Sequence, residues 1–419
     1  MEKFLVRGGK KLVGKIKISG AKNAAVAILP ATLIAGAPCK IENLPNISDV
    51  KILTEMLQKL GAKVTVHDAN TITVDPRGAT SYHAPYELVK KFRASYYLMG
   101  AFLSRYKKAK VALPGGCKIG PRPIDQHLKG FEALGAQVNI DSGEVELNSS
   151  EICGGHVYMD IVSVGATINT MLAAACCENV TTIENVAKEP EIVDVANFLS
   201  ALGVSVRGAG TDVIRIQGKT KLGGCTHSVI PDRIEAGTYM VAAAATRGDV
   251  TITDVIPKHL DPITAKLRES GVTVEEGDDF IRVRCNGNKI KGTDIKTFPY
   301  PGYPTDLQQP MMSYLTCTDG ASTVTENIFE NRFQHVDELA RMGADIYVEG
   351  RMAVIKGVKS LKGAEVKATD LRAGSALIIA GMMADGETKV SGVEHIKRGY
   401  ESIDKKLNSL GADISFVTE

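Results

Sequence analysis

Six times along the chain, apolar residues at helical spacing end in a glycine and give way to strict apolar–polar alternation. The segments are KLGAKVTV, ALGAQVNI, ALGVSVRG, ESGVTVEE, RMGADIYV and SLGADISF, with the glycine at Gly61, Gly135, Gly203, Gly271, Gly343 and Gly411. Successive glycines lie 74, 68, 68, 72 and 68 residues apart. Glycine suits the left-handed residue that closes a helix. The alternation has the period of a half-buried strand. Upstream of each glycine a helix of small apolar residues is predicted: NAAVAILPATLIAG, ASYYLMGAFLSR, ATINTMLAAACC, EAGTYMVAAAATR, LQQPMMSYLTCT and AGSALIIAGMMAD. A short strand running into a turn follows, as in KIENLPN or TITDVIP, and then a second, amphipathic helix leads to the glycine. Two strands close the copy. With a strand such as KIKIS (residues 15–19) ahead of the first helix, the unit reads βαβαββ. Its period of about 70 residues exceeds that of the common solenoid repeats.

The repeat sets the domain plan. The sixth copy reaches residue 419 without its last strand, and residues 3–7 (KFLVR) are suited to supply it. Two α/β domains of three copies each are expected. One comprises residues 1–21 with 230–419 and the other residues 22–229, with the passage between them near 222–232. A chain of 419 residues is also long for a single core.

Composition narrows the function without naming it. The net charge of +2 and the lack of a basic block give no sign of a nucleic-acid or membrane-surface partner. No apolar run reaches the roughly 18 residues of a membrane helix. The start, MEKFLVRGGKKLVG, has no signal-peptide core, so a cytoplasmic location is expected. The eight cysteines form no C-x-x-C pair, which argues against a zinc site and, in a reducing compartment, against disulfides. No metal and no cofactor is expected. Residues 9–15, GKKLVGK, approach a phosphate-binding loop, but Ile16 stands where Ser or Thr is needed and a strand follows.

Candidate chemistry gathers at two recurring positions. The first helices begin at SGAKNAA (Lys22, Asn23), KFRAS (Arg93), SVGAT (Ser163, Gly165), PDRIEAG (Arg233), YPTDLQQ (Asp306) and TDLRAG (Arg372). A cation at a helix start is unfavourable by roughly 0.3–1 kcal/mol. Its recurrence points to a bound anion, against the alternative that each is simply an exposed residue. The strand-to-second-helix turns carry Cys117 with Arg122, then Glu189, Lys258 with His259, Arg332, and Lys397 with Arg398. If the copies are related by rotation, both sets gather at one end of each domain. Two such ends facing each other form a cleft suited to phosphate and carboxylate. Asp306, acidic among these cations, is either an N-cap or a general base. The densest segment is 113–128, LPGGCKIGPRPIDQHL. There Cys117 is either an incidental loop thiol or a thiol whose pKa Lys118 and Arg122 lower.

Ten segments, SGAKNAA, FRAS, LPGGCKIGPRPIDQHL, VSVGAT, EPEIVD, PDRIEAGT, PTD, FENRF, DLRAG and RGYE, occur in this order over essentially the whole chain. In them the sequence resembles the enolpyruvyl transferases, and within that family the branch that uses UDP-N-acetylglucosamine. The resemblance implies two inside-out α/β-prism domains, each of three βαβαββ repeats, with the active site in the interdomain cleft. It implies transfer of the enolpyruvyl group of phosphoenolpyruvate to the sugar 3-hydroxyl by addition–elimination, with release of phosphate, at the first committed step of peptidoglycan synthesis. By resemblance Cys117 is the acid that protonates the methylene carbon, the residue able to form a phospholactoyl adduct, and the target of fosfomycin. Asp306 accepts the hydroxyl proton, and Lys22 and Arg398 complete the catalytic set. Lys22, Asn23, Cys117, Arg122, Arg332, Arg372 and Arg398 correspond to the phosphoenolpyruvate site. Asn23, Arg93, the run Arg122, Pro123, Ile124, Asp125 and Gln126, the run Ile161, Val162, Ser163, Val164 and Gly165, and Asp306 with Ile328 correspond to the nucleotide-sugar site. No obligate protein partner is implied. The family often has Trp where this chain has Tyr97. Two competing expectations are 5-enolpyruvylshikimate-3-phosphate synthase, which lacks the cysteine loop and the RPIDQH pattern, and a non-catalytic protein that binds nucleotide sugars.

Overall fold

The computed structural model describes residues 2–90, 93–113, 119–120, 123–285, 287 and 289–418. They divide into two units. One holds described residues within 2–19, 119–120 and 231–418, and the other those within 20–113 and 123–230.

Each predicted first helix is buried almost all round. In the helix Arg233–Ala245 every residue but Arg233 is buried, and Leu371–Met383 is nearly as enclosed. A helix apolar on all faces belongs in an interior. The first unit packs Arg233–Ala245, Gln308–Leu315 and Leu371–Met383 against one another. In the second unit Tyr97–Tyr106 packs on both Lys22–Ala31 and Val164–Ala174. Sheets with one buried and one open face surround these helices. The strand Ile72–Asp75 alternates buried and half-buried positions, whereas its outer neighbour Lys63–Val66 is mostly exposed. Helices inside and sheets outside make each unit an inside-out α/β body.

Among the described residues there are five four-stranded sheets and one three-stranded sheet. The four-stranded sheets share one plan. A leading strand runs parallel to the strand after the first helix, and that strand pairs antiparallel with the last strand of the copy. In the fourth copy these strands are Val13–Lys17, Asp249–Thr253 and Phe280–Arg284. The sheet of the sixth copy is completed from the start of the chain. Glu2–Arg7 lies antiparallel between Glu387–Ser391 and Asp413–Thr418, with Phe4 opposite Val390 and Phe416. KIKIS does not lead the first copy. Val13–Lys17 pairs with Asp249–Thr253, and the leading strand beside Cys39–Glu42 is Thr226–Ser228, from the far end of the second unit. Thr226–Ser228 is three polar residues long and carries no apolar period, so periodicity could not single it out.

The six glycines do close helices. Their φ values run from +89° to +105°. After the helix Ser48–Lys59, Gly61 N–H donates to Gln58 C=O at 3.0 Å and Ala62 N–H to Leu57 C=O at 3.0 Å. This pair of bonds satisfies the last carbonyls and turns the chain into the strand.

Candidate functional site

In the first unit the sequence candidates converge on one carboxylate. Asp306 lies in the short 3-10 turn Thr305–Leu307. Arg332 Nη2 donates to its Oδ1 at 2.8 Å. Arg372 donates to its Oδ2 from Nε at 3.2 Å and from Nη2 at 3.0 Å. Both arginines are 3% exposed. Asp306 therefore makes no N-cap, and the helix that follows it has no side-chain cap. Burial pushes the Asp306 pKa up, but the charges and hydrogen bonds of Arg372 and Arg332 outweigh it and hold the carboxyl well below the usual range.

Neighbouring groups hold this triad in place. Arg332 Nη1 donates to Thr305 Oγ1 at 3.1 Å, and the guanidinium stacks 5.1 Å from the Phe329 ring. Arg372 stacks 5.3 Å from the Tyr400 ring. Asp370 caps the helix Leu371–Met383 through the N–H groups of Arg372 and Ala373 and accepts from Gln309 Nε2 at 3.0 Å. Fully buried Glu326 accepts from Thr305 Oγ1, Thr297 Oγ1 and the Ile328 N–H, so it ties the Ile328 loop to the turn that carries Asp306. Fully buried His335 interacts electrostatically with Arg332 and Asp370. Burial and the nearby Arg332 charge push its pKa down to about 4 against the pull of Asp370. Arg398 is half-buried just beyond the short helix Val393–Ile396.

In the second unit Lys22 opens the helix Lys22–Ala31 and pairs with Asp49, Nζ to Oδ2, at 3.1 Å. Both are sheltered, at 13% and 2% side-chain exposure. Asn23 donates to Glu191 Oε1 at 3.4 Å. Arg93 opens the 3-10 turn Arg93–Tyr96 ahead of Tyr97–Tyr106. Pro123 and Ile124 precede the helix Asp125–Ala133. In that helix Gln126 is buried, and its Oε1 accepts the Asp160 N–H at 2.8 Å. This bond binds the start of the helix to the exposed Ile161 and the half-buried Val162. Ser163 caps Val164–Ala174 by accepting from Ala166 N–H, with Gly165 buried as the second residue of that helix.

Two of the helix-start cations have a carboxylate partner within the protein, and a third follows an acidic cap. Asp49 pairs Lys22, Asp306 pairs Arg372, and Asp232 caps the helix that Arg233 opens. Their recurrence alone therefore does not require a bound anion. Lys258 pairs with Asp261 on the surface. Lys397 pairs with Glu2 and lies over the Phe416 ring. Cys117, Lys118 and Arg122 lie outside the described residues. Of their loop, Ile119 C=O accepts from Asn331 N–H at 3.1 Å, and Gly120 has φ +134°. Among the described residues no group of three or more His, Cys, Asp or Glu side chains is placed to hold a metal. Among the described residues no helix is long and apolar enough to cross a membrane.

Comparison with known proteins decides the family. The profile of EPSP synthase (3-phosphoshikimate 1-carboxyvinyltransferase) matches residues 6–407. UDP-N-acetylglucosamine 1-carboxyvinyltransferase 3 of Caldanaerobacter subterraneus subsp. tengcongensis is 57% identical over 419 residues, covering all of both chains. The chain belongs to the UDP-N-acetylglucosamine 1-carboxyvinyltransferase branch of the EPSP synthase family. The Clostridium botulinum UDP-N-acetylglucosamine 1-carboxyvinyltransferase is 58% identical over 415 residues, 99% of each chain. Among solved structures, the enolpyruvyl transferase NikO of Streptomyces tendae superposes with a TM-score of 0.90 at 25% identity, over 100% of this chain and 99% of its own. EPSP synthase of Acinetobacter baumannii shares the fold, with a TM-score of 0.76 at 20% identity over the whole of both chains. For this carboxyvinyltransferase-family chain, sequence reasoning had missed Asp49, Glu191, Glu326 and Asp370. Asp49 and Glu326 are partners from other segments that no local pattern marks, whereas Glu191 and Asp370 lie within EPEIVD and DLRAG, Asp370 as the N-cap of its own helix.

Proposed function

We propose that this chain transfers the enolpyruvyl group of phosphoenolpyruvate to the 3-hydroxyl of UDP-N-acetylglucosamine, releasing phosphate, as the first committed step of cytoplasmic peptidoglycan synthesis. The observation that carries the reading is full-length identity of 57% and 58% with transferases named for that acceptor. The solved EPSP synthase structure, at 20% identity, shares the fold alone.

The chemistry divides into addition and elimination. The sugar oxygen bonds to the enol carbon of the donor as its proton passes to Asp306, and Cys117 gives a proton to the methylene carbon. The tetrahedral adduct then loses a proton from that same carbon and expels phosphate, which restores the double bond. Protonating the methylene carbon builds positive charge on the neighbouring enol carbon, so a placed acid lowers the barrier. Lys22, Arg122, Arg332, Arg372 and Arg398 neutralise the donor's phosphate and carboxylate. Asn23, Arg93, residues 122–126, residues 161–165 and Ile328 hold the nucleotide sugar. The pairing of Asp306 with two guanidinium groups adds a condition to this scheme. A carboxylate so held is a poor base, and the donor's anionic groups are suited to draw Arg332 and Arg372 away from it.

Phosphate release from phosphoenolpyruvate, followed with UDP-N-acetylglucosamine, with shikimate 3-phosphate and with no acceptor, tests the reading. Release that requires the nucleotide sugar is expected. Release with shikimate 3-phosphate instead, or none with either, overturns it.

A further inference from the structure

We propose that His127 is a positioning residue for the nucleotide-sugar subsite. Its neutral ring, with the proton on Nε2, holds three substrate-bearing segments in register. This rests on the reading above, in which the segments at Arg93, at 123–126 and at 161–165 take UDP-N-acetylglucosamine.

The argument starts from Asn169, which is fully buried in the helix Val164–Ala174. Its Oδ1 accepts the Gly100 N–H at 3.0 Å, which fixes which end of the amide is oxygen. Its Nδ2 then donates one hydrogen to Tyr96 C=O at 2.9 Å and the other to His127 Nδ1 at 2.9 Å. Two donors cannot face each other, so Nδ1 presents a lone pair. A ring that accepts at Nδ1 is neutral and carries its proton on Nε2.

That ring touches all three segments. It belongs to the first turn of Asp125–Ala133 and is 5% exposed. The Tyr96 ring, from the turn Arg93–Tyr96, stands edge-on to it with centroids 4.9 Å apart and planes at 71°. Gly165 also lies against it. A Cβ there would sit 2.9 Å from His127 Cε1, 3.0 Å from Nε2 and 3.1 Å from Tyr96 Oη. Glycine is thus required by close approach, because any side chain would push the start of Val164–Ala174 off the ring. The bond from Asp160 N–H to Gln126 Oε1 secures the outer flank of the same junction. Deleting the Nδ1 acceptor strands a buried Asn169 N–H. The neighbours then shift to satisfy it, and those neighbours are the three segments.

The test combines kinetics with a spectrum. In His127→Leu the KM for UDP-N-acetylglucosamine should rise about tenfold or more, as loss of a buried hydrogen-bond partner predicts. Saturated kcat and the KM for phosphoenolpyruvate should stay within about threefold, the signature of lost ground-state binding. His127→Asn offers an oxygen near the Nδ1 position and should recover most of the loss. In 15N-histidine spectra at neutral pH, the signal that His127→Asn removes should belong to a neutral Nε2–H ring. An unmoved nucleotide-sugar KM in folded His127→Leu overturns the proposal. So does a fall in kcat that merely tracks the folded fraction, or a ring protonated on Nδ1. If His127→Leu does not fold, Gly165→Ala crowds the same ring and must raise the same KM, and an unmoved KM there overturns the proposal. Wild-type phosphate release independent of UDP-N-acetylglucosamine overturns the functional reading instead, and the spectrum still decides the tautomer.

Discussion

Arg372 holds one oxygen of Asp306 with two nitrogens, at 3.2 and 3.0 Å, while Arg332 holds the other oxygen at 2.8 Å. The carboxylate is thus the common counter-ion of two nearly buried cations as well as the proposed base. Removing its charge acts on both roles. Asp306→Asn should lower kcat by about a hundredfold or more, the scale of a lost general base. It should also destabilise the fold, by up to about 3–5 kcal/mol, because two guanidinium groups lose their partner. Calorimetric binding of UDP-N-acetylglucosamine should survive at a temperature where the variant is folded. Normal turnover at saturation would remove Asp306 from the mechanism.

His335 makes a separate prediction about acid. Its pKa falls from the ordinary 6.5 to about 4 in the folded chain, through burial and the Arg332 charge. Below pH 6.5 the unfolded chain therefore binds a proton that the folded chain refuses. Stability should fall as pH drops from 6.5 towards 4 and then level off for this group, at a cost on the order of a few kcal/mol. His335→Gln does not titrate and should flatten that part of the profile. Asp306 and Asp370, whose pKa values are lowered, act at lower pH, as the medium drops below the ordinary carboxylate value. Urea midpoints measured for both proteins between pH 4 and 7 check this, and parallel profiles would refute it.

Cys117 is argued from its sequence setting alone. Cations beside a thiol ease loss of its proton, so Lys118 and Arg122 suit Cys117 both to give a proton as thiol and to alkylate through the thiolate it leaves. Fosfomycin should add once to Cys117, detected by peptide mass, and phosphoenolpyruvate should slow the addition if the two share a site. Cys117→Ser should lose about a hundredfold or more of its turnover, as for a lost general acid. An unmodified Cys117 after prolonged incubation, or near-normal phosphate release by the serine variant, would sink the assignment.

The legible and illegible parts of this chain differ in a physical way. The helix-closing glycines were readable because a left-handed residue leaves a local signature, and all six have positive φ. The strand that completes the sixth copy was readable because one strand was missing and residues 3–7 alternate correctly. The leading strand of the first copy was not. Thr226–Ser228 is a short, wholly polar strand with no apolar period to announce it, and Val13–Lys17 carries nothing that says which sheet it joins. The same limit governed the site. Asp306, Arg332 and Arg372 stood out as charges at recurring positions, but their mutual pairing spans 66 residues of sequence. Glu326 and Asn169 matter through several bonds each to distant segments, and no local pattern announces that.

Lys22 and Asp49 allow structural and functional roles to be separated. The pair sits at 3.1 Å with Asp49 almost wholly buried. Lys22→Met removes its charge partner there, and breaking a sheltered pair on one side costs about 3–5 kcal/mol where burial is complete. Lys22 keeps some exposure, so a smaller loss is expected, measured as a lower urea midpoint. Lys22→Met also removes a proposed phosphate ligand, so activity falls for two reasons at once. The double variant Lys22→Met, Asp49→Leu deletes both charges, and replacing both partners of a buried pair by apolar groups is often nearly neutral. It should regain most of the lost stability and none of the lost phosphoenolpyruvate affinity. If affinity returned with stability, Lys22 would be a structural cation and the donor site would need another. If neither returned, the pair would not be the reason Asp49 tolerates burial.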